Sequence, residues 1–474
     1  MSASNSSRPA GSLVESRAIE FIPRHERHGS VFSQFTLWLG VNLNVTAVVI
    51  GALAVVSQGS ALWAIVGLFV GLLIGGAILS LHAIQGPKLG LPQMISTRAQ
   101  FGVKGAALPL ALVCLMCIGL SASGTVLAGQ SLSALLGITT LQGILLFAVL
   151  TVVLTVMGYR TIHHMAKVAS LLGIFAFVYM FISLFAKQDV TTVLRGNGFH
   201  FSSFLLAVSL SASWLLSFGP FVADYSRYLP HDTSKKWVFL ATMSGAVIGA
   251  LASMTFGVFA ASLAGDQFSG HEMNYIVGLS SAGAIAVLLY LAISIGKITA
   301  IAMNSYTSAI SFMTLFDREN GTRSKTRQRI VFSVLSVLAA MLIALWGQHS
   351  FLSSFSSFVL LMLTFLTPWS AINLIEFYSD RDSYAFQTEQ LVKHDGIYKG
   401  VNWPMVVLYL ASIAIQVPFI ATGIYTGPLV AYFDGADISW LIGLAFPTII
   451  LLGARLVGSS TPSIQQGQTT AGKL

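Results

Sequence analysis

The feature that most constrains this chain is a series of long apolar stretches separated by short polar loops. The sequence has 474 residues, of which 55% are hydrophobic and 9% are charged, and its mean hydropathy is +0.79. Soluble domains carry about 25% charged residues, so this composition indicates an all-α polytopic membrane protein. Each stretch is close to the roughly 20 apolar residues that cross a bilayer as a helix. Twelve transmembrane spans are predicted, at 32–56, 60–84, 106–136, 141–158, 165–186, 202–222, 237–264, 275–301, 329–346, 351–374, 401–424 and 438–457.

The distribution of charge predicts how the chain is oriented in the bilayer. Most of the 25 Lys and Arg residues lie in the terminal segments and in alternate loops, whereas the opposite loops hold only Lys187 and Arg195. The positive-inside rule then places both termini in the cytoplasm, which agrees with an even number of spans. Topology therefore explains the net charge of +8, and no nucleic-acid partner is predicted. The first thirty residues lack an apolar core, so no cleavable signal peptide is predicted.

The stretch Ser211–Tyr228 interrupts the sixth span with polar and helix-breaking residues. It contains Trp214, the pair Gly219-Pro220 and then Asp224. Proline removes a helical hydrogen bond and glycine loosens the backbone, so the helix should be weakened or broken here. Exposed backbone at membrane depth survives only where it is buried in protein or lines a watery cavity. The stretch is therefore either a substrate site at a broken helix or a proline kink in an ordinary span.

The first span carries a similar pattern. Trp38 is followed by Gly40, Asn42 and Asn44, which are costly in a membrane helix unless they face protein or water. They indicate either a second break or hydrogen bonding between helices. Spans 1 and 6 each open a group of five spans, and interrupted helices at corresponding positions are typical of transporters built from inverted repeats.

Five short patches of sequence resemble the nucleobase–cation symport family, also called the purine–cytosine permeases. The first two are Ile19-Glu20 with Pro23, and the Gly/Pro-rich loop from Gly86 through Gly90-Leu-Pro92 and Arg98 to Phe101-Gly102 and Gly105. The others are Asp224-Tyr-Ser-Arg227, Pro368 with Ile372 and Glu376-Phe377-Tyr378, and Gly400-Val-Asn402-Trp403. Their order and spacing cover most of the chain. The resemblance is specific to the family and not to a substrate.

The resemblance implies the leucine-transporter fold, with a five-plus-five inverted repeat and broken helices 1 and 6. It also implies import of a small nitrogenous heterocycle coupled to protons or sodium. On this basis the chain divides into a cytoplasmic arm, two five-helix repeats, a region with helices 11 and 12, and a cytoplasmic tail. Their predicted ranges are 1–30, 31–186, 187–375, 376–457 and 458–474.

The resemblance also implies which residues contact the substrate. Trp214 lies ten residues before Asp224, as in the family, and would stack on a flat ring. Asn304, in the family's Asn-x-Tyr-[Ser/Thr] context, would read the edge of the ring, because an amide offers both donors and acceptors. A lipid-interface anchor and an interhelical hydrogen bond are their structural alternatives. The remaining predicted substrate-binding residues are Gly40, Asn42, Leu120, Ser123, Gly124, Phe218, Gly219 and Ala300.

Two departures from the family pattern concern helices 3 and 8. Many relatives have Trp on helix 3 where this chain has Leu120, which leaves a less aromatic, hydroxyl-lined wall. On helix 8, sodium-binding relatives have neighbouring hydroxyls, whereas this chain has Ile298 and Thr299 after Lys297. A lysine at membrane depth is expensive and by default functional. The hypothesis is that its ammonium replaces a sodium ion or carries the coupling proton, the alternative being a side chain that snorkels to the cytoplasmic vestibule.

The remaining polar residues yield weaker predictions. Asp224 and Arg227 follow span 6 and form either an inner gate, with Arg98 or Arg160 as partners, or a solvated pair at a helix end. Cys114 and Cys117 are expected to be buried apolar residues, so no metal site, cofactor or catalytic residue is predicted.

The overall prediction is a secondary transporter of the inner (plasma) membrane, whose partners are its heterocyclic substrate and the lipid bilayer. Proton coupling is favoured over sodium coupling. A same-fold transporter of a vitamin-like heterocycle, amino acid or amine, and a membrane sensor, are the alternatives. No oligomeric state is predicted.

Overall fold

A computed structural model describes residues 21–56, 59–157, 159–194, 198–279, 281–316, 326–379, 390–391 and 396–456. Within these ranges the chain is helical, apart from loops and an isolated antiparallel bridge between Ala421 and Thr426. The predictions for the tip of the N-terminal arm, the tail 458–474 and most of the basic segment Arg318–Arg329 lie outside the described residues.

Nineteen α-helices are numbered here in chain order, and short 3-10 turns are named by residue. They are α1 Val31–Asn42, α2 Val45–Val56, α3 Ala61–Ala83, α4 Gln85–Leu89, α5 Gln93–Ser96, α6 Arg98–Gly105, α7 Ala107–Leu136, α8 Thr140–Met157, α9 Tyr159–Lys187, α10 Val190–Leu194, α11 Phe201–Leu216, α12 Val222–Ser226, α13 Lys235–Ala264, α14 Glu272–Gly278, α15 Gly283–Phe316, α16 Thr326–Gly347, α17 Phe351–Ser379, α18 Trp403–Ala414 and α19 Ser439–Leu456.

Eight helical stretches among the described residues are long and apolar enough to cross a membrane, or nine when α1 and α2 count as one span. The stretch Ile330–Ser379 enters this count once, although it contains most of α16 and all of α17. Two further apolar helices, Leu171–Lys187 and Trp403–Phe419, are shorter than 18 residues. The count of eight or nine is therefore lower than the twelve spans predicted from hydropathy, because one long stretch is counted once and two apolar helices are too short to be counted.

Two predicted spans differ from the helices observed. The predicted span 275–301 is divided into the short helix α14 and the long helix α15, which begins at Gly283 with a left-handed φ of 62°. The predicted span 401–424 is shorter than expected, because α18 ends at Ala414 and Pro418 lies in a 3-10 turn. Hydropathy detects the apolar stretch in both places but not the turn inside it.

The first interruption lies between α1 and α2, whose axes differ by 60°. Asn44 stands between the two helices. Its Oδ1 accepts hydrogen bonds from the backbone N–H groups of Thr46 at 2.8 Å and Ala47 at 3.2 Å. Its Nδ2 donates to the carbonyl oxygen of Val41 at 2.7 Å. One side chain therefore satisfies backbone groups at the ends of both helices, which the bend would otherwise leave unpaired.

The second interruption, between α11 and α12, is a 3-10 turn at Gly219–Phe221. Residues Phe201–Ser226 form one candidate span, and among the apolar helix pairs of the described chain that could form a span together, only α1 and α2 are bent by more than 40°. Pro220 has no N–H to satisfy, and the Ser217 hydroxyl donates to the carbonyl oxygen of Trp214 at 2.6 Å. This interruption therefore changes the helix type with little change of direction.

Glycine contacts fix the helices that flank both interruptions. A Cβ placed on Gly257 of α13 would lie 1.8 Å from the carbonyl oxygen of Val48 on α2. A Cβ placed on Gly71 of α3 would lie 2.1 Å from the carbonyl oxygen of Val208 on α11. Backbones approach this closely only where side chains are absent, as is common between membrane helices. The two interrupted segments are therefore held against α13 and α3.

Candidate substrate-binding site

A cavity of about 350 Å³ lies between helices α1, α2, α7, α9, α11, α12 and α15. The two interruptions contribute to its wall, as expected for backbone that is not regular helix at membrane depth. Most of the predicted site residues line it, namely Gly40, Leu120, Gly124, Trp214, Phe218, Asp224, Lys297, Thr299, Ala300 and Asn304. Asn42, Ser123, Gly219 and Arg227 are not part of the lining.

Trp214 forms the aromatic part of the wall. It is 5% exposed, and its indole Nε1 donates to Oδ1 of Asn42 at 2.7 Å. Phe218, one turn later, meets it edge to face with ring centroids 5.3 Å apart. These contacts hold the indole in one orientation, which suits a platform for a planar ligand.

Asn42 supports Trp214. It is fully buried, its Nδ2 donates to the carbonyl oxygen of Trp38 at 2.8 Å, and its own carbonyl oxygen accepts from the Ser253 hydroxyl at 2.7 Å. Its side-chain oxygen and amide group are therefore both hydrogen-bonded within the protein. The structure places Asn42 behind the tryptophan, whereas the sequence predicted contact with the substrate.

Lys297, on α15, also lines the cavity and is 8% exposed. Its ammonium donates to the hydroxyl of Thr46, in the first turn of α2. In the described part of the chain Lys297 forms no ion pair and no other hydrogen bond. A Cβ placed on Gly124 of α7 would lie 3.5 Å from Cδ of Lys297. The side chain thus crosses from α15 past α7 to the bend between α1 and α2.

Asn304, Ala300 and Thr299 line the same side of the cavity as Lys297. The Thr299 hydroxyl donates to the carbonyl oxygen of Gly296 at 2.8 Å within its own helix. The side chain of Asn304 makes no hydrogen bond among the described residues. Its amide is therefore available to a ligand, as the family resemblance implies.

The remaining predicted residues pack around the cavity. The Ser123 hydroxyl donates to the carbonyl oxygen of Leu120 at 2.9 Å, so it is hydrogen-bonded within its own helix, and Ser123 is not part of the lining. A Cβ placed on Gly219 would lie 3.5 Å from both His82 and Trp369. Gly219 therefore faces these two rings, which stack with centroids 4.8 Å apart.

The predicted gate residues, Asp224 and Arg227, lie in and directly after α12. Oδ1 of Asp224 accepts from the backbone N–H of Gln93 at 2.8 Å, which ties α12 to the loop after α3. Arg227 is 2% exposed and lies over the ring of Tyr228 at 5.3 Å. It is therefore buried, and the prediction of a solvated pair at the helix end is wrong for this residue.

The two partners predicted for this gate are placed elsewhere or are not described. Arg98 donates to the carbonyl oxygen of Leu391 at 3.0 Å, and burial lowers the pKa of its guanidinium. The side chain of Arg160 lies outside the described residues.

The lining also includes residues outside the predicted set, and four of them bear on the chemistry of the cavity. Trp38 is 1% exposed and meets Phe218 with ring centroids 5.6 Å apart. Thr46 is the partner of Lys297, and Phe177 and Tyr225 complete the aromatic wall. Trp38 could have been found from its position before the Gly40–Asn44 pattern. No signal in the sequence marks Phe177, because its side chain reaches the cavity only through the packing of α9.

Comparison with known proteins supports a transporter. Residues 21–443 match a family model described as permease for cytosine/purines, uracil, thiamine, allantoin. The chain is 34% identical over 437 residues to YxlA of Bacillus subtilis (strain 168), a protein whose name places it among the purine-cytosine permeases. That match covers 92% of this chain and 95% of YxlA.

The solved structures it resembles include two of Mhp1. The inward-facing conformation matches with a TM-score of 0.74 at 19% identity, covering 97% of each chain. A closed conformation with bromovinylhydantoin bound, described as a nucleobase-cation-symport-1 family transporter, matches with a TM-score of 0.69 at 19% identity. This second match covers 95% of this chain and 97% of that one. At these identities the likeness shows the fold.

The fold, its apolar helices and these relatives define a multi-pass membrane transporter and not an enzyme. The chain belongs to the family of permeases for cytosine/purines, uracil, thiamine and allantoin. The resemblance seen in its five sequence patches is thereby confirmed.

Proposed function

We propose that this protein is a secondary active symporter that imports a nucleobase or a related small nitrogenous heterocycle by alternating access. The observation that carries the proposal is the cavity that both Trp214 and Asn304 line. A fixed indole offers its face to a flat ring, and a free amide offers both a donor and an acceptor to the ring edge. The names of YxlA and of the family model support this substrate class.

The architecture in this proposal is the one the resemblance implies. It has twelve spans, with α1–α2 and α11–α12 as broken helices 1 and 6 of two inverted five-helix repeats, 31–186 and 187–375. Helices 11 and 12, in 376–457, lie outside the repeats. The protein would lie in the plasma membrane, with the arm 1–30 and the tail 458–474 in the cytoplasm. The 60° bend between α1 and α2 supports this assignment for helix 1.

Coupling to protons is proposed through Lys297, with Thr299 beside it on α15. The contact between the Lys297 side-chain nitrogen and Thr46 supports this proposal, because a protonated Lys297 would carry its positive charge at the bend of helix 1. The resemblance implies that sodium-binding relatives hold their ion between helices 1 and 8. An ammonium at this point would exclude a sodium ion by charge repulsion and occupy its position, and it can gain and lose a proton.

The coupling proposal is tested by uptake into proteoliposomes at fixed pH, with sodium replaced by choline. Wild-type uptake is expected to continue without sodium and to require an inward proton gradient, and Lys297→Ala should lose this requirement. Full sodium dependence of the wild type would refute proton coupling.

The location of the site is tested separately. A thermal-shift screen of the purified protein with nucleobases, ureides and vitamins should identify a ligand that raises the melting temperature. Trp214→Ala should abolish that shift. If the variant retained every shift, the ligand would bind elsewhere.

A further inference from the structure

Several hydrogen-bond donors at the cavity have no acceptor among the described residues of the protein. The Lys297 ammonium has three N–H groups and one described partner, Thr46. The indole N–H of Trp38 is buried without an acceptor in the described part of the chain. These two donors, together with the free amide of Asn304, face or border the same space. A ligand that satisfies them must present acceptor atoms.

A buried ammonium with a single neutral partner is in an unfavourable environment. Transfer of an unpaired charge from water to a protein interior is strongly unfavourable, unless an opposite charge accompanies it. Lys297 is 8% exposed, and its only described partner is a hydroxyl. Either the side chain is neutral, or a negative charge joins it from outside the protein.

The other titratable groups that line the cavity do not supply this charge. They are Cys117 on α7, and Asp224 and Tyr225 on α12, and none of them hydrogen-bonds to Lys297. The Asp224 carboxylate accepts from the backbone of Gln93. Among the residues whose side chains are described, the parts of α1, α2 and α9 that line the cavity contribute no titratable group.

The positive charge and the aromatic platform are fixed to one short segment. Trp214 donates to Asn42 at the end of α1, and Lys297 donates to Thr46 at the start of α2. Asn42 and Thr46 are four residues apart across the 60° bend. A planar ring stacked on Trp214 is therefore bordered by the wall that carries Lys297.

We propose that the ligand is a heterocycle carrying a negative charge at neutral pH, such as a ring carboxylate or an acidic oxopurine, and that Lys297 is the residue that selects it. The anionic oxygen accepts from the Lys297 ammonium, while the ring stacks on Trp214. This inference rests on the proposed function, because it specifies the charge of the substrate at that site.

The proposed ion pair between Lys297 and the anionic substrate has a consequence for transport. A neutral Lys297 amine takes one proton from the outer solution as the anion binds, and it returns that proton to the inner solution as the anion leaves. One negative ion and one proton then cross together, so no net charge moves. Uptake should respond to the proton gradient and not to the membrane potential.

The test uses two pairs of a neutral heterocycle and an anionic relative, uracil with orotate (its 6-carboxylate) and hypoxanthine with urate (the anion of its 2,8-dioxo derivative). Affinities are measured by calorimetry on the purified full chain. Wild type should bind at least one anionic member about tenfold more tightly than its neutral counterpart, which corresponds to one favourable charge pair. Lys297→Met should remove the preference, and Lys297→Arg should keep it.

Controls separate a specific charge pair from general attraction of anions to a basic protein. Lys104→Met, at an exposed lysine, should leave the preference unchanged. Trp38→Phe removes the buried indole N–H but keeps an aromatic ring at this position. This variant should weaken anion binding less than Lys297→Met does. Uptake of the anion into proteoliposomes should be the same at zero and at a negative-inside potential set with valinomycin.

The outcomes distinguish this inference from the proposed function. If wild type bound the neutral and anionic members equally, the inference would be overturned and the proposed function would remain in place. A preference for the anion that survives Lys297→Met would have the same two consequences. Uptake that depends on the potential would overturn the paired movement of proton and anion. Failure of every heterocycle to bind would overturn both proposals.

Discussion

Between α1 and α2 the backbone bends by 60°, whereas the segment from α11 to α12 remains within one span. The straighter segment is the one that contains Gly219-Pro220, and the bent one contains no proline. At the bend, Asn44 makes three hydrogen bonds to backbone groups of the two helices. A membrane helix can therefore bend sharply where a side chain replaces the lost backbone hydrogen bonds, and proline alone does not produce the same result.

The two interruptions are alike in how their flanking helices pack, and substitutions there should have the largest effect. Gly257→Val would place a side chain 1.8 Å from the backbone oxygen of Val48, so α2 and α13 would have to separate. We expect a loss of about 3 kcal/mol or more, measured as a fall in melting temperature in detergent.

Gly71→Val should cause a loss of similar size between α3 and α11, where the corresponding approach is 2.1 Å. Gly453→Val is the matched control for helix propensity, because a Cβ there meets nothing within 4 Å. A variant at Gly257 that melted like this control would show that the two interruptions are not equally constrained.

Asn42 connects the two interruptions, and its replacement should have the next largest effect. Asn42→Leu would leave the Trp214 indole N–H buried without its acceptor, which we expect to reduce stability by about 2 kcal/mol. Trp214→Phe removes the donor, so the double variant should lose less than the sum of the two single variants. Additive effects in this double-mutant cycle would mean that the hydrogen bond between the two segments contributes nothing.

Asn44 distinguishes the two interruptions most directly. Asn44→Ala removes the acceptor at the start of α2 and the donor at the end of α1, and should cost about 1 kcal/mol. Asn44→Asp keeps the acceptor and should lose less. Ser217→Ala in the second interruption removes one hydrogen bond, to Trp214, and should lose less again. Thermal unfolding of the three variants in parallel would contradict the comparison if Ser217→Ala were the most damaging.

Sequence alone predicted where the helices are interrupted, because Trp, Asn, Gly and Pro are conspicuous in an apolar span. It could not predict which interruption is bent. It also could not predict that Asn42 faces Trp214 and not the cavity, because the face of a helix that points inward depends on its neighbours. The glycine contacts at Gly257 and Gly71 were equally invisible, since each depends on a backbone oxygen of another helix.

Lys297, in contrast, could be recognised from the sequence as a residue of the cavity. Its position at membrane depth was sufficient to single it out, because a charge there has few explanations. Its partner Thr46 could not be named from the sequence, since that hydroxyl reaches Lys297 only because α2 turns away from α1. The place of Lys297 in the cavity wall was thus predictable, and its contact with Thr46 was not.

The smallest effect is expected at Pro220. The residue lies in the first turn of a 3-10 helix, where a backbone N–H has no partner within the helix, so proline loses little there. Pro220→Ala would add a donor and restore freedom to the unfolded chain, for a loss of about 0.5 kcal/mol. If the segment depended on proline for its shape, Pro220→Ala would instead straighten the turn and displace Phe218 and Trp214. Ligand binding by Pro220→Ala distinguishes the two cases, because a turn that is set by packing against α3 predicts an unchanged affinity.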